Sequence, residues 1–364
     1  MKKKICFVLP EYARATHFQY VAEFVEGLAE HADIFLIVEK GELPKLSNVT
    51  HRVRQRFQFP PLRFFEIAGM LLYARICGYR VQYIHYSFSA AFWSSLITRT
   101  FGGMTYYWNA GLPWLYKRPP QREFFERLVY KLIGRLVTGA NAIVPGYADY
   151  YHIAASKIIV ISNWIDDMHV QNEIRKVDRA QMRKKLNIPE NAPVVLFVHR
   201  LARRKGAHWL PGILAGLNKE TILIVVGDGP ERETITQEFA QRGLTPRMRM
   251  CGALPQTEIA NYFAISDIFL LPSEEEGCPH VLLESLAAGV PYAAVAVGGV
   301  REMTPARLQP YVTESGKRDE LITATNALLG LPKASREEVI KEEYEWVKQY
   351  RKEEILERFL DLVK

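Results

Sequence analysis

The sequence predicts an α/β protein of two doubly wound, Rossmann-like domains, each a parallel sheet with helices on both faces. Three observations carry this. Short β-rich runs alternate with longer amphipathic ones, the βαβ rhythm of a parallel sheet. The rhythm breaks over residues 166–192, which read as polar and helical, and then restarts. The chain has 364 residues, enough for two domains at roughly 100–200 residues each. The expected division is a first domain over 1–170, a second over 171–340, and a helix over 341–364 that crosses back to the first.

In the first domain the strand-like runs are KKICFVL (3–9), DIFLIV (33–38), VQYIHY (81–86), TYYWN (105–109), NAIVP (141–145) and KIIVIS (157–162). Between them lie helical stretches such as FQYVAEFVEGLAE (18–30). After the break come VVLFV (194–198), TILIVVG (221–227), RMRMCG (247–252), DIFLLP (267–272) and PYAAVAV (291–297). The stretch from Ser335 to Lys364 is charged, aromatic and helical, without strands.

Composition narrows the class. Hydrophobic residues make up 48% and charged ones 24%, which excludes disordered and fibrous chains. The longest apolar candidate, Val281 to Val300, contains Glu284, Pro291 and three glycines, so it reads as helix, turn and strand. The opening MKKKICFVLPEY is too short in apolar residues for a signal peptide. Four scattered cysteines, Cys6, Cys77, Cys251 and Cys278, suggest neither a disulfide framework nor a zinc site, and a cytoplasmic location is expected.

The formal charge is +7 but unevenly spread. Residues 1–186 hold 26 Lys/Arg and 15 Asp/Glu, whereas 187–364 hold 21 and 25. Within 40–135 the counts are 15 and 4, with bases and aromatics interleaved at 52–65 and 113–135. Such segments suit anionic lipid headgroups, or form an ordinary solvated face with the aromatics in the core. A nucleic-acid reading rests on charge alone, and no nucleic-acid partner is expected.

Three corners of the second domain carry chemistry. VVLFV runs into HRLARRKGAHWL (199–210): strand, basic loop, then a helix expected near Gly206. Helix N-termini hold anions, and Arg200 and Lys205 add full charges there. The next corner, VVGDGPERE (225–233), offers Gly227 for a tight turn and Asp228 for a helix start. The third is LPSEEEGCPHVLLESLAAGVPYAAVAVGGVREM (271–303). Glu276 lies in the loop before a helix beginning about Pro279, and Glu284 lies inside it. Both stand near the carboxyl edge of a parallel sheet, where doubly wound folds bind ligands. Carboxylates suit sugar hydroxyls, and the N–H groups of Gly277, Cys278, His280 and Val281, with Pro279 among them, suit an anion.

These residues resemble the retaining glycosyltransferases of the GT-B fold, family 4, which move a sugar from a nucleotide diphosphate to an acceptor. The matching residues are Arg200-Leu201 with Lys205-Gly206, Gly227-Asp228-Gly229-Pro230, Glu276 with Glu284, and the run EGCPHVLLESLAAGVP. Ser162-Asn163-Trp164-Ile165-Asp166 is similar to the family's segment at the end of the first domain. The resemblance implies two Rossmann-like domains facing a cleft. It implies that Arg200 and Lys205 hold the diphosphate, Glu276 touches the transferred sugar and Glu284 binds the ribose. It also implies retention of configuration. The first domain departs from the pattern. Its first loop, Pro10 to Thr16, has no glycine, and Asn109 stands where the family often has a His. Tyr12, Arg14 and Asn109 are therefore the expected contacts to acceptor or sugar. After Glu276, the family's frequent Phe and Asn are replaced by Cys278 and His280.

No Asp-x-Asp occurs in the chain, so the cationic loop is expected to stabilise the leaving diphosphate without a metal or other cofactor. A departing phosphate can accept the acceptor's proton. His199 is the alternative base. The expected activity is hexose transfer from a UDP- or GDP-sugar to a lipid-linked or cell-envelope glycan at the membrane surface. Transfer to a soluble acceptor, epimerisation of a nucleotide sugar, and donor binding without transfer are the alternatives.

Overall fold

The computed structural model describes residues 2–12 and 19–363, the side chain of Gln19 excepted. The strands are β1 (Lys3–Leu9), β2 (Ala32–Val38), β3 (His51–Arg54), β4 (Val81–His85), β5 (Met104–Trp108), β6 (Arg135–Thr138) and β7 (Ile158–Val160). They continue as β8 (Val194–Val198), β9 (Ile222–Val226), β10 (Met248–Gly252), β11 (Ile268–Leu271), β12 (Tyr292–Val295) and β13 (Val312–Thr313). All pairings are parallel among the described residues. One sheet runs β3-β2-β1-β4-β5-β6-β7, the other β10-β9-β8-β11-β12-β13. Continuous apolar runs such as IFLL of β11 and ILIVV of β9 are buried on both faces, as helix-covered parallel strands must be. In each sheet the strand order reverses once, between β1 and β4 and between β8 and β11.

The chain divides into a first unit, Met1–Ser162 with Leu356–Lys364, and a second, Asn163–Ile355. The division falls at 162/163 rather than 170/171, because the segment after Ser162 packs within the second unit. Ile165 N–H donates to the Tyr350 carbonyl at 2.8 Å, and Arg351 holds the buried Asp167 with two bonds of 2.9 and 2.8 Å. In the first unit Phe359 meets the rings of Tyr83 at 4.8 Å and Phe24 at 5.4 Å. Tyr106 OH donates to the Leu362 carbonyl at 3.0 Å.

Several local expectations are corrected. NAIVP is not a strand: Asn141–Ile143 is a 3-10 turn and Val144–Tyr151 a helix with Pro145 in its first turn. There a proline's missing N–H costs nothing. The nearby strand is β6, RLVT, a short run that starts at Arg135, the last residue of the basic 113–135 segment. The exposed edge strand β3 overlaps the start of the 52–65 segment, its charges suiting an edge. No α-helix starts at Gly206. That glycine separates 3-10 turns over Arg203–Lys205 and Ala207–Trp209, and the helix is Leu210–Gly216. Among the described residues no helix is long and apolar enough to cross a membrane.

Candidate functional site

The reversal between β8 and β11 places their carboxyl ends side by side, leaving room at the edge where neighbouring connections run to opposite faces. His199 and Arg200 leave β8, and Glu276 lies in the loop that leaves β11. Groups 71 residues apart thereby meet. Lys205 Nζ donates to Glu276 Oε1 at 2.8 Å and to the Glu275 carbonyl at 2.8 Å. His199 Nε2 lies 3.0 Å from the same Oε1. Its Nδ1 accepts the Arg200 N–H at 2.8 Å, so the neutral ring carries its proton on Nε2 and donates it to Glu276. Nε2 thus holds Glu276 while Nδ1 is tied to the Arg200 backbone, which is the role of a positioning group rather than of a free base.

Glu276 is 6% exposed. Burial alone would raise its pKa, but the Lys205 ammonium and then His199 outweigh it and bring the carboxyl down to about 2. Its Oε2 has no partner among the described residues, and of the three Lys205 donors one is unspent. The loop is held from behind by Gly298, at φ +52, where a side chain would strike the Glu276 carbonyl. Gly299 N–H also donates to the Gly277 carbonyl at 2.9 Å. Gly227, at φ +139, likewise lies against the His199 carbonyl, so the β8 and β9 corners close on each other.

Arg200 is exposed, and its guanidinium meets no acceptor among the described residues. Asp228 is spent locally, accepting from Gly229 N–H at 2.7 Å and pairing Arg232 at 2.6 Å; these bonds hold its pKa below the ordinary value. Glu284 lies on the helix His280–Ala288, which ends at Gly289. Its Oε1 is bound by Gln256 and lies 3.5 Å from His280 Nδ1, again leaving Oε2 without a partner among the described residues. Cys278 is turned inward. Its Sγ accepts from Asn163 N–H at 3.4 Å and lies 3.7 Å from Met303 Sδ, and burial pushes its thiol up to about 12. Asn163 Nδ2 also donates to the Cys278 carbonyl at 2.6 Å, so this pair braces the loop between Glu276 and the helix.

The first-unit candidates are differently placed. The Asn109 amide is consumed by its surroundings: Nδ2 donates to Tyr130 OH at 3.0 Å and Tyr107 OH at 3.4 Å, and Oδ1 accepts Gly111 N–H at 2.9 Å. It shapes the loop after β5. Tyr12 joins Gly41 in an isolated bridge, its N–H donating to the Lys40 carbonyl at 3.0 Å. Arg14 lies outside the described residues. Sequence reasoning missed Gln256, which nothing in its helix singles out, and the bracing turn at Gly298-Gly299, whose signal was the paired glycine after β12.

The second unit thus gathers cations, two half-occupied carboxylates and close-packed glycine turns at one sheet edge. Residues 178–346 match the family Glycosyl transferases group 1. A 2-deoxystreptamine glucosyltransferase of Streptomyces kanamyceticus is 34% identical over 164 residues, 43% of this chain and 42% of that one. A GDP-mannose-dependent alpha-(1-6)-phosphatidylinositol monomannoside mannosyltransferase of Mycolicibacterium smegmatis is 30% identical over 165 residues, 43% of each chain. The chain spans less than half the length of these curated relatives. Among solved structures, Anabaena Alr3699/HepE in complex with UDP and glucose superposes with a TM-score of 0.81 over 99% of both chains, at 16% identity. The architecture is the GT-B fold.

Proposed function

We propose that the protein is a retaining, metal-independent glycosyltransferase that moves a hexose from a UDP- or GDP-sugar to a lipid-linked or cell-envelope glycan. The observation that carries this is the convergence of Lys205 and His199 on one oxygen of the buried, ionised Glu276, next to Arg200, which meets no acceptor among the described residues. The family match over the second unit supports transfer. The UDP and glucose of the Anabaena structure, and the GDP-mannose and phosphatidylinositol monomannoside named for the mycobacterial relative, support the choice of donor and acceptor.

Transfer breaks the bond between the anomeric carbon and the phosphate oxygen and leaves an oxocarbenium-like sugar and an anion. Arg200 and the unspent donor of Lys205 neutralise the departing diphosphate, a charge that is fixed in place before the reaction starts. Glu276 Oε2 accepts a hydroxyl of the transferred sugar and Glu284 Oε2 accepts the ribose. An acceptor hydroxyl attacks the face the phosphate leaves, and its proton passes to the departing phosphate oxygen. No protein base enters, consistent with the full engagement of His199.

The test is nucleotide release from a panel of UDP- and GDP-sugars incubated with acceptor lipid extracts. Release from one donor, unchanged by a metal chelator and abolished in Glu276→Ala, is expected. Release undiminished in that variant, or lost with the chelator, contradicts the reading.

A further inference from the structure

Helix Pro60–Ile76 is apolar on two opposite faces. Ile67, Leu71 and Ala74 are buried beneath it. On the outer side Leu62, Phe65, Tyr73 and Ile76 are 47%, 63%, 59% and 75% exposed. With 3.6 residues per turn, these four and Gly69 fall within an arc of about 80°, and at 1.5 Å per residue the stripe is about 21 Å long. No charged side chain enters that arc. Phe57 and Phe59, also exposed, extend it at the helix start. Soluble monomers rarely leave so continuous an apolar strip uncovered.

The sequence on either side of the helix is basic. From Leu43 to Arg122 the chain carries 11 Lys/Arg and a single acid, Glu66. That carboxylate is turned to the backbone, accepting the N–H groups of Arg56 and Phe57. The side chains of Arg56 and Arg80 are exposed and meet no acceptor among the described residues. The other basic and aromatic segment, 113–135, is different: Arg118 and Arg122 pair with the buried Glu126, and Arg127 pairs with Glu123. Three of its six cations are thus paired within the segment.

We propose that the outer face of helix Pro60–Ile76 docks on an anionic bilayer, the stripe at the acyl boundary and Arg56 and Arg80 among the headgroup phosphates. A helix lying in the interface suits this pattern; the 17-residue helix carries Arg63, Glu66 and Arg75 and does not suit a span. Charge complementarity selects the occupant, since a two-fold pairing of copies through the stripe would set the same arginines against each other. The inference deepens the reading of a membrane-surface acceptor, but its test needs neither donor nor acceptor, so it fails or stands apart from the transfer chemistry.

The full chain is sedimented with vesicles of phosphatidylglycerol and phosphatidylcholine, and with phosphatidylcholine alone, at low and high salt. Binding to the anionic vesicles at low salt is expected. The exposed-site variant Phe65→Ser/Tyr73→Ser/Ile76→Ser should lower partitioning about tenfold or more, and Arg56→Glu/Arg80→Glu should remove the preference for anionic lipid. Each variant is first shown to melt as the parent does, and single substitutions replace any that does not. Parent protein that stays in the supernatant overturns the proposal, as does unaltered binding by both variants. A concentration-dependent dimer abolished by the triple variant, without vesicle binding, or capture of an acidic protein in place of lipid, overturns it equally.

Discussion

At the scale of single residues, Glu276 and Arg200 separate stability from chemistry. Lys205 is the main reason Glu276 can be both buried and charged, so Lys205→Ala strands a carboxylate. A loss of about 3 kcal/mol in unfolding free energy is expected for breaking such a pair. The sign with pH follows from the depressed acid. Its carboxyl falls from the ordinary 4.5 to about 2, so its contribution is present above 4.5 and disappears as pH drops toward 2. Denaturant titrations across that window should show the gap between parent and Lys205→Ala narrowing; a gap that is constant with pH would show that the ammonium does not hold Glu276. Arg200 is the converse case. It is exposed and pairs with nothing among the described residues, so Arg200→Ala should leave the melting temperature within a degree or so while lowering kcat/KM about a hundredfold. Equal losses of stability and rate would remove it from the proposed chemistry.

At the scale of elements, helix Lys333–Trp346 supports the helix that carries Glu284. Tyr344 OH reaches the Ala288 carbonyl at 3.4 Å, and Trp346 Nε1 donates to the Met303 carbonyl at 2.8 Å. The same helix buries Glu343, whose two oxygens find no partner among the described residues. Burial, then the neighbouring Glu342, drives its pKa well above the ordinary value. This acid works against folding as pH rises: the unfolded chain gives up its proton first, and the folded one must hold it. Glu343→Met should therefore raise stability by about 1–3 kcal/mol at neutral pH, with the gain shrinking toward pH 4. Calorimetric melting at several pH values checks this, and a variant less stable at every pH would show that Glu343 is satisfied. Elements such as β8 and β9 were legible because a run of buried apolar residues admits few other readings. NAIVP was misread because two β-branched residues outweighed a proline that suits a helix start equally well. β6 was hidden because four residues led by an arginine resemble the surface around them. The turns at Arg203–Lys205 and Ala207–Trp209 resemble a helix start in sequence, since nothing local distinguishes a 3-10 turn from a first α-turn.

At the scale of the whole chain, a repeated topology explains why the candidate site was visible in the sequence at all. In a doubly wound sheet, residues just past the strand ends meet at the reversal of order, whatever their separation along the chain. Glycines, cations and acids concentrated at those positions in the second half therefore marked Arg200, Lys205, Glu276 and Glu284 in advance. What stayed hidden was how each side chain is occupied: that His199 spends both nitrogens on Glu276 and its neighbour, that Cys278 faces Asn163 and Met303, and that Asn109 is consumed by two tyrosines. Occupancy is set by packing between distant segments, which no local pattern encodes. The charge asymmetry of the first half was equally plain, yet only the fold separates the acid-paired Arg118, Arg122 and Arg127 from the exposed stripe of 62–76. The central claim is that fixed cations at Arg200 and Lys205 hold a nucleoside diphosphate while Glu276 serves the sugar. Titration calorimetry with bare UDP and GDP tests it most directly. Binding of one of them should weaken about tenfold or more in Arg200→Ala and persist or strengthen in Glu276→Gln, which removes a negative charge beside the phosphates. Unchanged affinity in Arg200→Ala, with binding lost in Glu276→Gln, would contradict the account.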